Sequence, residues 1–125
     1  MIILDTSIWI EFLKQNQKFS KVVQELLEDR KILAVECIFA ELLQGSRNNQ
    51  EREIIINYWK NLPKVINENL WIDAGIYSSE KKLFSKGIGL IDCVIIQSTK
   101  KNNAKLWSLD KKLNSMLRKD EKYNP

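Results

Sequence analysis

Three consecutive aliphatic residues, Ile2, Ile3 and Leu4, run directly into a carboxylate, Asp5. A short run that is apolar on both faces reads as a strand of a parallel sheet with helices packed over each side. Thr6 and Ser7 then lead into Ile8, Trp9, Phe12 and Leu13, spaced as the buried stripe of a helix with Thr6 or Ser7 as its N-cap. An Asp at the carboxyl end of a parallel strand occupies the edge where open α/β sheets place their sites. If Asp5 is a site residue, other groups must reach that edge.

The rest of the chain alternates strand and helix signals. Phe19, Val22, Val23, Leu26 and Leu27 predict a helix over 18–29, starting near Lys18 or Ser20. The run 32–35 predicts a strand, and Phe39, Leu42 and Leu43 a helix that closes near Gly45. Ile54, Ile55, Tyr58 and Trp59 mark a helix over 50–60, broken before Pro63, and Val65-Ile66 reads as a short strand. A long helix is expected over 68–86, with Ile72, Ile76 and Leu83 on one face and Gly87 and Gly89 punctuating its end. Ile91 to Ile96 opens a buried helix that reaches about Asn102. Leu106 to Leu109 forms the last strand and ends at Asp110; Leu113, Met116 and Leu117 mark a closing helix before a charged, frayed tail, Arg118–Pro125. This order predicts one domain over 1–125, of the α/β class, with a central mostly parallel sheet between two helical layers.

Composition removes several chemistries. There is no histidine, which excludes histidine-based acid–base catalysis and the common zinc sites. No apolar run approaches the roughly 20 residues of a membrane span. Without a basic stretch ahead of an apolar segment at the start, a cytoplasmic location is expected. Cys37 and Cys93 lie among apolar neighbours and read as buried thiols. The net charge is +4, unevenly spread: residues 81–125 hold 11 basic and 4 acidic side chains, against 9 and 12 in residues 1–80. A basic final third suits a polyanion, with Lys81, Lys82, Lys86, Lys111 and Lys112 as candidate backbone contacts, although a solvated lysine face fits equally well. Trp9 and Trp107 are candidates for stacking on bases or, more simply, for the core.

Acid–base or metal chemistry must therefore rest on Asp and Glu. Asp5 and Asp110 each end a strand, so a parallel sheet places both on one edge. Glu41 and Asp92 each interrupt an apolar stretch near the start of a helix. No arginine lies within three residues of any of the four, and an unpaired buried carboxylate is costly. Taken singly, Asp5, Asp92 and Asp110 are as readily helix caps, and Glu41 a helix-surface residue. Together they point to one shared site, where converging carboxylates need a divalent cation to stay ionised. An all-oxygen site favours Mg²⁺ or Mn²⁺.

At these residues the chain resembles PIN-domain proteins, most closely VapC-type toxin ribonucleases. The resemblance rests on Ile3-Leu4-Asp5-Thr6-Ser7, Glu41-Leu42-Leu43-Gln44-Gly45, Ile91-Asp92 and Leu106-Trp107-Ser108-Leu109-Asp110-Lys111, in that order across essentially all 125 residues. It implies a PIN-like three-layer α/β/α fold and a Mg²⁺- or Mn²⁺-dependent endoribonuclease, the toxin of a type II toxin–antitoxin pair. It further implies catalytic carboxylates at Asp5, Glu41, Asp92 and Asp110, with Asp5, Glu41 and Asp92 as the metal ligands. Thr6, Ser7 and Ser108 would orient them. An RNA substrate, a VapB-like antitoxin lying across the groove and a homodimer are also implied. The pattern departs from the family at Cys37-Ile38, where a hydroxyl cap is usual, at Gly87 and Gly89, where Pro is common, and at Lys112, where many members carry a second Asp. Two other readings compete: a PIN-like RNA- or protein-binding module without catalytic activity, and a phosphotransfer domain with Asp5 as nucleophile. The second of these lacks the strand-end lysine such folds carry.

Overall fold

The computed structural model describes all 125 residues. Strand β1 is Ile2–Leu4; helices α1 (Thr6–Leu13), α2 (Gln17–Glu28), α3 (Glu36–Gln44), α4 (Asn49–Asn61), α5 (Leu70–Lys81) and α6 (Leu90–Lys101) follow; then come β2 (Lys105–Trp107) and α7 (Lys111–Ser115). Short 3₁₀ turns occupy Phe84–Lys86 and Lys119–Glu121.

The two strands pair in parallel, with Ile3 opposite Leu106, and all three residues of β1 are buried. That is the environment its uninterrupted apolar run requires. The sheet continues beyond this pair through single bridges. Ile32 pairs with Ile2 on the far side of β1, Ala34 pairs with Lys64, and Lys122 pairs with Leu106, all in parallel. The α/β class and the parallel sheet hold, but regular strand is confined to two elements. Of the stretches expected as strands, 32–35 makes single bridges at Ile32 and Ala34, and 65–66 makes none, the bridge to Ala34 lying at Lys64. Val35 already serves as the N-cap of α3, so the chain leaves the sheet before a ladder can form.

Three further expectations change. The helix expected over 68–86 ends at Lys81. Lys82 takes a left-handed conformation (φ 54°), and the Leu83 N–H bonds back to Ser78 O, turning Leu83 fully into the core. Helix α5 therefore packs on α6 through Ala74, while Ile72 and Ile76 remain 65% and 52% exposed. The tail is not frayed. Tyr123 N donates to Leu106 O, its ring lies 5.4 Å from that of Trp107, and buried Glu121 pairs with Lys100 at 2.9 Å. Trp9 and Trp107 are core residues: Trp9 packs edge-on against Phe12 and Phe39, and Trp107 against Phe19 and Tyr123. This aromatic cluster locks α1 against α3, fixing the two helices that carry Thr6 and Glu41. Cys37 and Cys93 are free, buried thiols.

Candidate active site

Asp5 leaves β1 at its carboxyl end, and its N–H donates to Trp107 O of β2. It holds the N-cap position of α1, but its side chain makes no capping bond. Instead Oδ2 accepts from Ser108 Oγ at 2.7 Å and Ser7 Oγ at 3.1 Å, in a setting where Asp5 is 7% exposed. Ser7 Oγ in turn accepts from Leu109 N, and Ser108 Oγ from Asp110 N. Two hydroxyls thus tie the end of β1 to the end of β2. Each donates its proton to the carboxylate, which can only accept, while its own oxygen accepts a backbone N–H.

The other acids are held by different means. Thr6 Oγ1 donates to Glu41 Oε1 at 3.0 Å, linking α1 to the middle of α3. Gly89 N donates to Asp92 Oδ2 at 3.3 Å in the first turn of α6. Asp110 is the N-cap of α7, with Oδ1 accepting from Lys112 N and Leu113 N. The cap reading thus holds for Asp110 and fails for Asp5. In all four carboxylates only one oxygen is engaged by the protein. Asp5 Oδ1, Glu41 Oε2, Asp92 Oδ1 and Asp110 Oδ2 accept no hydrogen bond from any protein donor. No buried side-chain oxygen or nitrogen is left without a partner, so these free oxygens reach solvent.

The electrostatics place the acids in one field. Burial pushes the Asp92 carboxyl above its ordinary value, and the charges of Asp110 and Asp5 push it further; the Gly89 N–H and the Lys112 ammonium act in the opposite direction. Burial, then the charges of Glu41 and Asp5, hold the Cys37 thiol up at about 12, opposed by local backbone N–H groups. Asp5 is thus felt on both flanks. As the side chains stand, however, no three acids lie within common coordination range, so the tight convergence expected from the sequence is not met.

Lys112 brings a cation to the Asp92 flank. Its Nζ lies 3.2 Å from where a Cβ on Gly87 would stand. Gly87 has φ 78°, so glycine at this turn meets a backbone need as well as the close approach. Lys81, Lys82, Lys86 and Lys111 are all exposed. Thr6, Ser7 and Ser108 occupy the hydroxyl positions predicted for them. What the sequence did not reveal is the one-tied, one-free pattern of the carboxylates, which at Asp92 and Asp110 depends on backbone N–H groups that carry no residue signature.

The PIN domain family matches residues 2–119. The chain belongs to the PIN-domain family. Among curated proteins, the ribonuclease VapC32 of Mycobacterium tuberculosis, from strains CDC 1551 / Oshkosh and ATCC 25618 / H37Rv, is 30% identical over 117 residues, covering 90% of this chain and 87% of the relative. In this PIN domain Asp5 and Asp110 follow the carboxyl ends of the two parallel strands, Glu41 is tied to the first turn of α1 through Thr6, and Asp92 feels the charges of Asp110 and Asp5; no helix of the fold is long and apolar enough to cross a membrane.

Proposed function

We propose that this PIN-domain chain is a Mg²⁺- or Mn²⁺-dependent endoribonuclease, the toxin of a type II toxin–antitoxin pair, acting as one nuclease domain over 1–125. The observation that carries the reading is the set of four carboxylates, each anchored by one oxygen with the other free. A single capping acid with a free oxygen is ordinary; what calls for a cation is that these acids share one field, Asp92 feeling the charges of Asp110 and Asp5, and Cys37 those of Glu41 and Asp5. The donors are all hard oxygens, which fits Mg²⁺ or Mn²⁺. Asp5, Glu41 and Asp92 would hold the cation, with Asp110 completing the rim. When bound, it supplies Lewis-acid polarisation of the phosphodiester and an acidified water.

The protein's own part is orientation. Ser108 and Ser7 hold the Asp5 carboxylate in one rotamer, and Thr6 does the same for Glu41, so that little reorganisation is left for the reacting state. Burial and the charges of Asp110 and Asp5 make the charge of Asp92 costly until a cation arrives. Lys82, Lys86, Lys111 and Lys112 supply positive charge along the substrate backbone, which sets affinity rather than sequence choice.

Two partner assignments belong to the same reading. A groove of about 830 Å³ between α1, α2, α3 and α4, with Phe12, Leu42, Ile55, Tyr58 and Glu41 in its wall, suits an antitoxin segment that blocks the site. The exposed Trp71, Ile72 and Ile76 on α5 support a homodimer. Ile72→Asp should then give a monomer by sedimentation, where the parent sediments as a dimer.

The test is cleavage of labelled RNA by purified protein with Mg²⁺, Mn²⁺ or EDTA, beside Asp92→Asn. Cutting that needs metal and is lost in the variant is expected. RNA binding with no cutting by the parent under any of these conditions would instead favour the binding-module reading.

A further inference from the structure

The most exposed large apolar side chain in the molecule is Phe84, at 88%. It is not on a loose loop. Leu83 beside it is fully buried, the Lys86 and Ile88 N–H groups both donate to Leu83 O, and Gly87 N donates to Phe84 O at 3.1 Å. The ring is therefore carried by a short, hydrogen-bonded turn pinned to the core. Exposed Lys81, Lys82 and Lys86 flank it. The same turn borders the acidic site: Gly87 meets Lys112 Nζ, and Gly89 N bonds to Asp92.

We propose that Phe84 is a stacking platform for an unpaired RNA base next to the cleavage site, with Lys82 and Lys86 on the adjoining phosphates. The inference rests on the ribonuclease reading and deepens it by naming a residue of this chain that contacts the substrate's bases. Aromatic side chains bind bases whose faces are free, whereas a duplex keeps its bases stacked and offers only backbone and groove. A lone exposed apolar residue is ordinary on a protein surface. An aromatic ring between lysines, on a hydrogen-bonded turn that joins α5 to the Asp92 helix, has the two components that single-strand binding sites combine. The tryptophans considered for this task from sequence, Trp9 and Trp107, are both buried and cannot perform it.

The test uses Asp92→Asn protein in EDTA, so that RNA is bound and not cut. Its affinity for a fluorescent single-stranded RNA, and for a duplex of the same phosphate number, is measured over a salt series, alone and combined with Phe84→Ala, Phe84→Trp or Lys86→Gln. The expected result is a loss of about tenfold or more for the single strand in Phe84→Ala, roughly 1.4 kcal/mol. The duplex affinity and the salt slope should not change, and Phe84→Trp should restore binding. Lys86→Gln should instead reduce the salt slope. A 2-aminopurine base in the single strand should lose its stacking quench only with Phe84→Ala. Unchanged single-strand affinity, or an equal loss on the duplex, would overturn the stacking role and leave the nuclease reading intact. So would a Phe84→Ala protein that loses self-association in sedimentation while binding RNA normally, because the ring would then belong to a protein interface. An Asp92→Asn protein that binds no RNA at all, beside a parent that cuts none, would remove both.

Discussion

The two flanks of the acidic edge are built differently. On the Asp5–Glu41 flank, carboxylates are held by side-chain hydroxyls: Ser7, Ser108 and Thr6 each point at an acid, and Asp5 is buried. On the Asp92–Asp110 flank, carboxylates are held by backbone N–H groups, Asp110 is exposed, and a lysine ammonium stands nearby. Hydroxyls fix a rotamer through a specific residue. Helix-start N–H groups take whatever short acid is present. The first flank is thus preorganised at a cost in sequence freedom, and the second is general helix capping put to an additional use.

That contrast can be broken at several points, the largest first. Asp5→Asn should lower RNA cleavage by at least about a hundredfold, since a metal ligand is worth several kcal/mol to the reacting state. A loss under threefold in a rate assay would mean that Asp5 is structural. Ser108→Ala should lower activity about ten- to a hundredfold and also destabilise the fold, because a buried charge loses a donor worth roughly 1.5–3 kcal/mol. Asp110→Asn, on the other flank, should melt like the parent, since Asn caps as well as Asp. If Asp110→Asn proved the less stable of the two variants, the division between flanks would fail.

Asp92→Asn sharpens the contrast through pH. The native Asp92 carboxyl is raised above its ordinary value, so its ionised form weakens the metal-free fold. That penalty is absent below about pH 3.9, the ordinary Asp value, and grows as pH rises through the native value. In EDTA, Asp92→Asn should therefore melt higher than the parent at pH 7, with the gap closing in acid and on adding Mg²⁺ to the parent. A lower melting temperature at pH 7 would mean a structural role. The smallest effect on catalysis belongs outside both flanks, at the tail clasp. Burial works to raise the Glu121 carboxyl, but the Arg118 N–H and the Lys100 and Arg118 cations outweigh it and hold it low. Its contribution is full above about pH 4.3 and is lost as pH falls through the lowered native value. Glu121→Gln should cost about 1–2 kcal/mol in a neutral-pH denaturant melt, discounted because Lys100 is partly exposed, and leave cleavage within about twofold.

The sequence carried the fold where patterns were strong. Ile2-Ile3-Leu4, the 3.6-residue stripe of α2 and the apolar start of α6 all form as their spacing requires. It misled where a local device overrode the stripe. Ile72 and Ile76 look like core, but the left-handed turn at Lys82 ends α5 early and the burial goes to Ala74 and Leu83. The tail looks solvated by composition, and only the fold shows Lys122 pairing with β2 and Glu121 meeting a cation 21 residues away. In the site, acid identities and hydroxyl partners were legible because they are residue types at strand ends. The free and tied oxygens were not, and neither was Phe84, whose importance lies in exposure rather than in pattern.

The measurement that tests the central claim most directly is Mn²⁺ binding, read by titration calorimetry or by the loss of free-ion paramagnetic resonance signal, for the parent and for Asp5→Asn. A saturable site in the parent that weakens at least tenfold in the variant is the predicted result. Equal Mn²⁺ affinity in both proteins, or none in either, would contradict a cation site built on the free oxygen of Asp5.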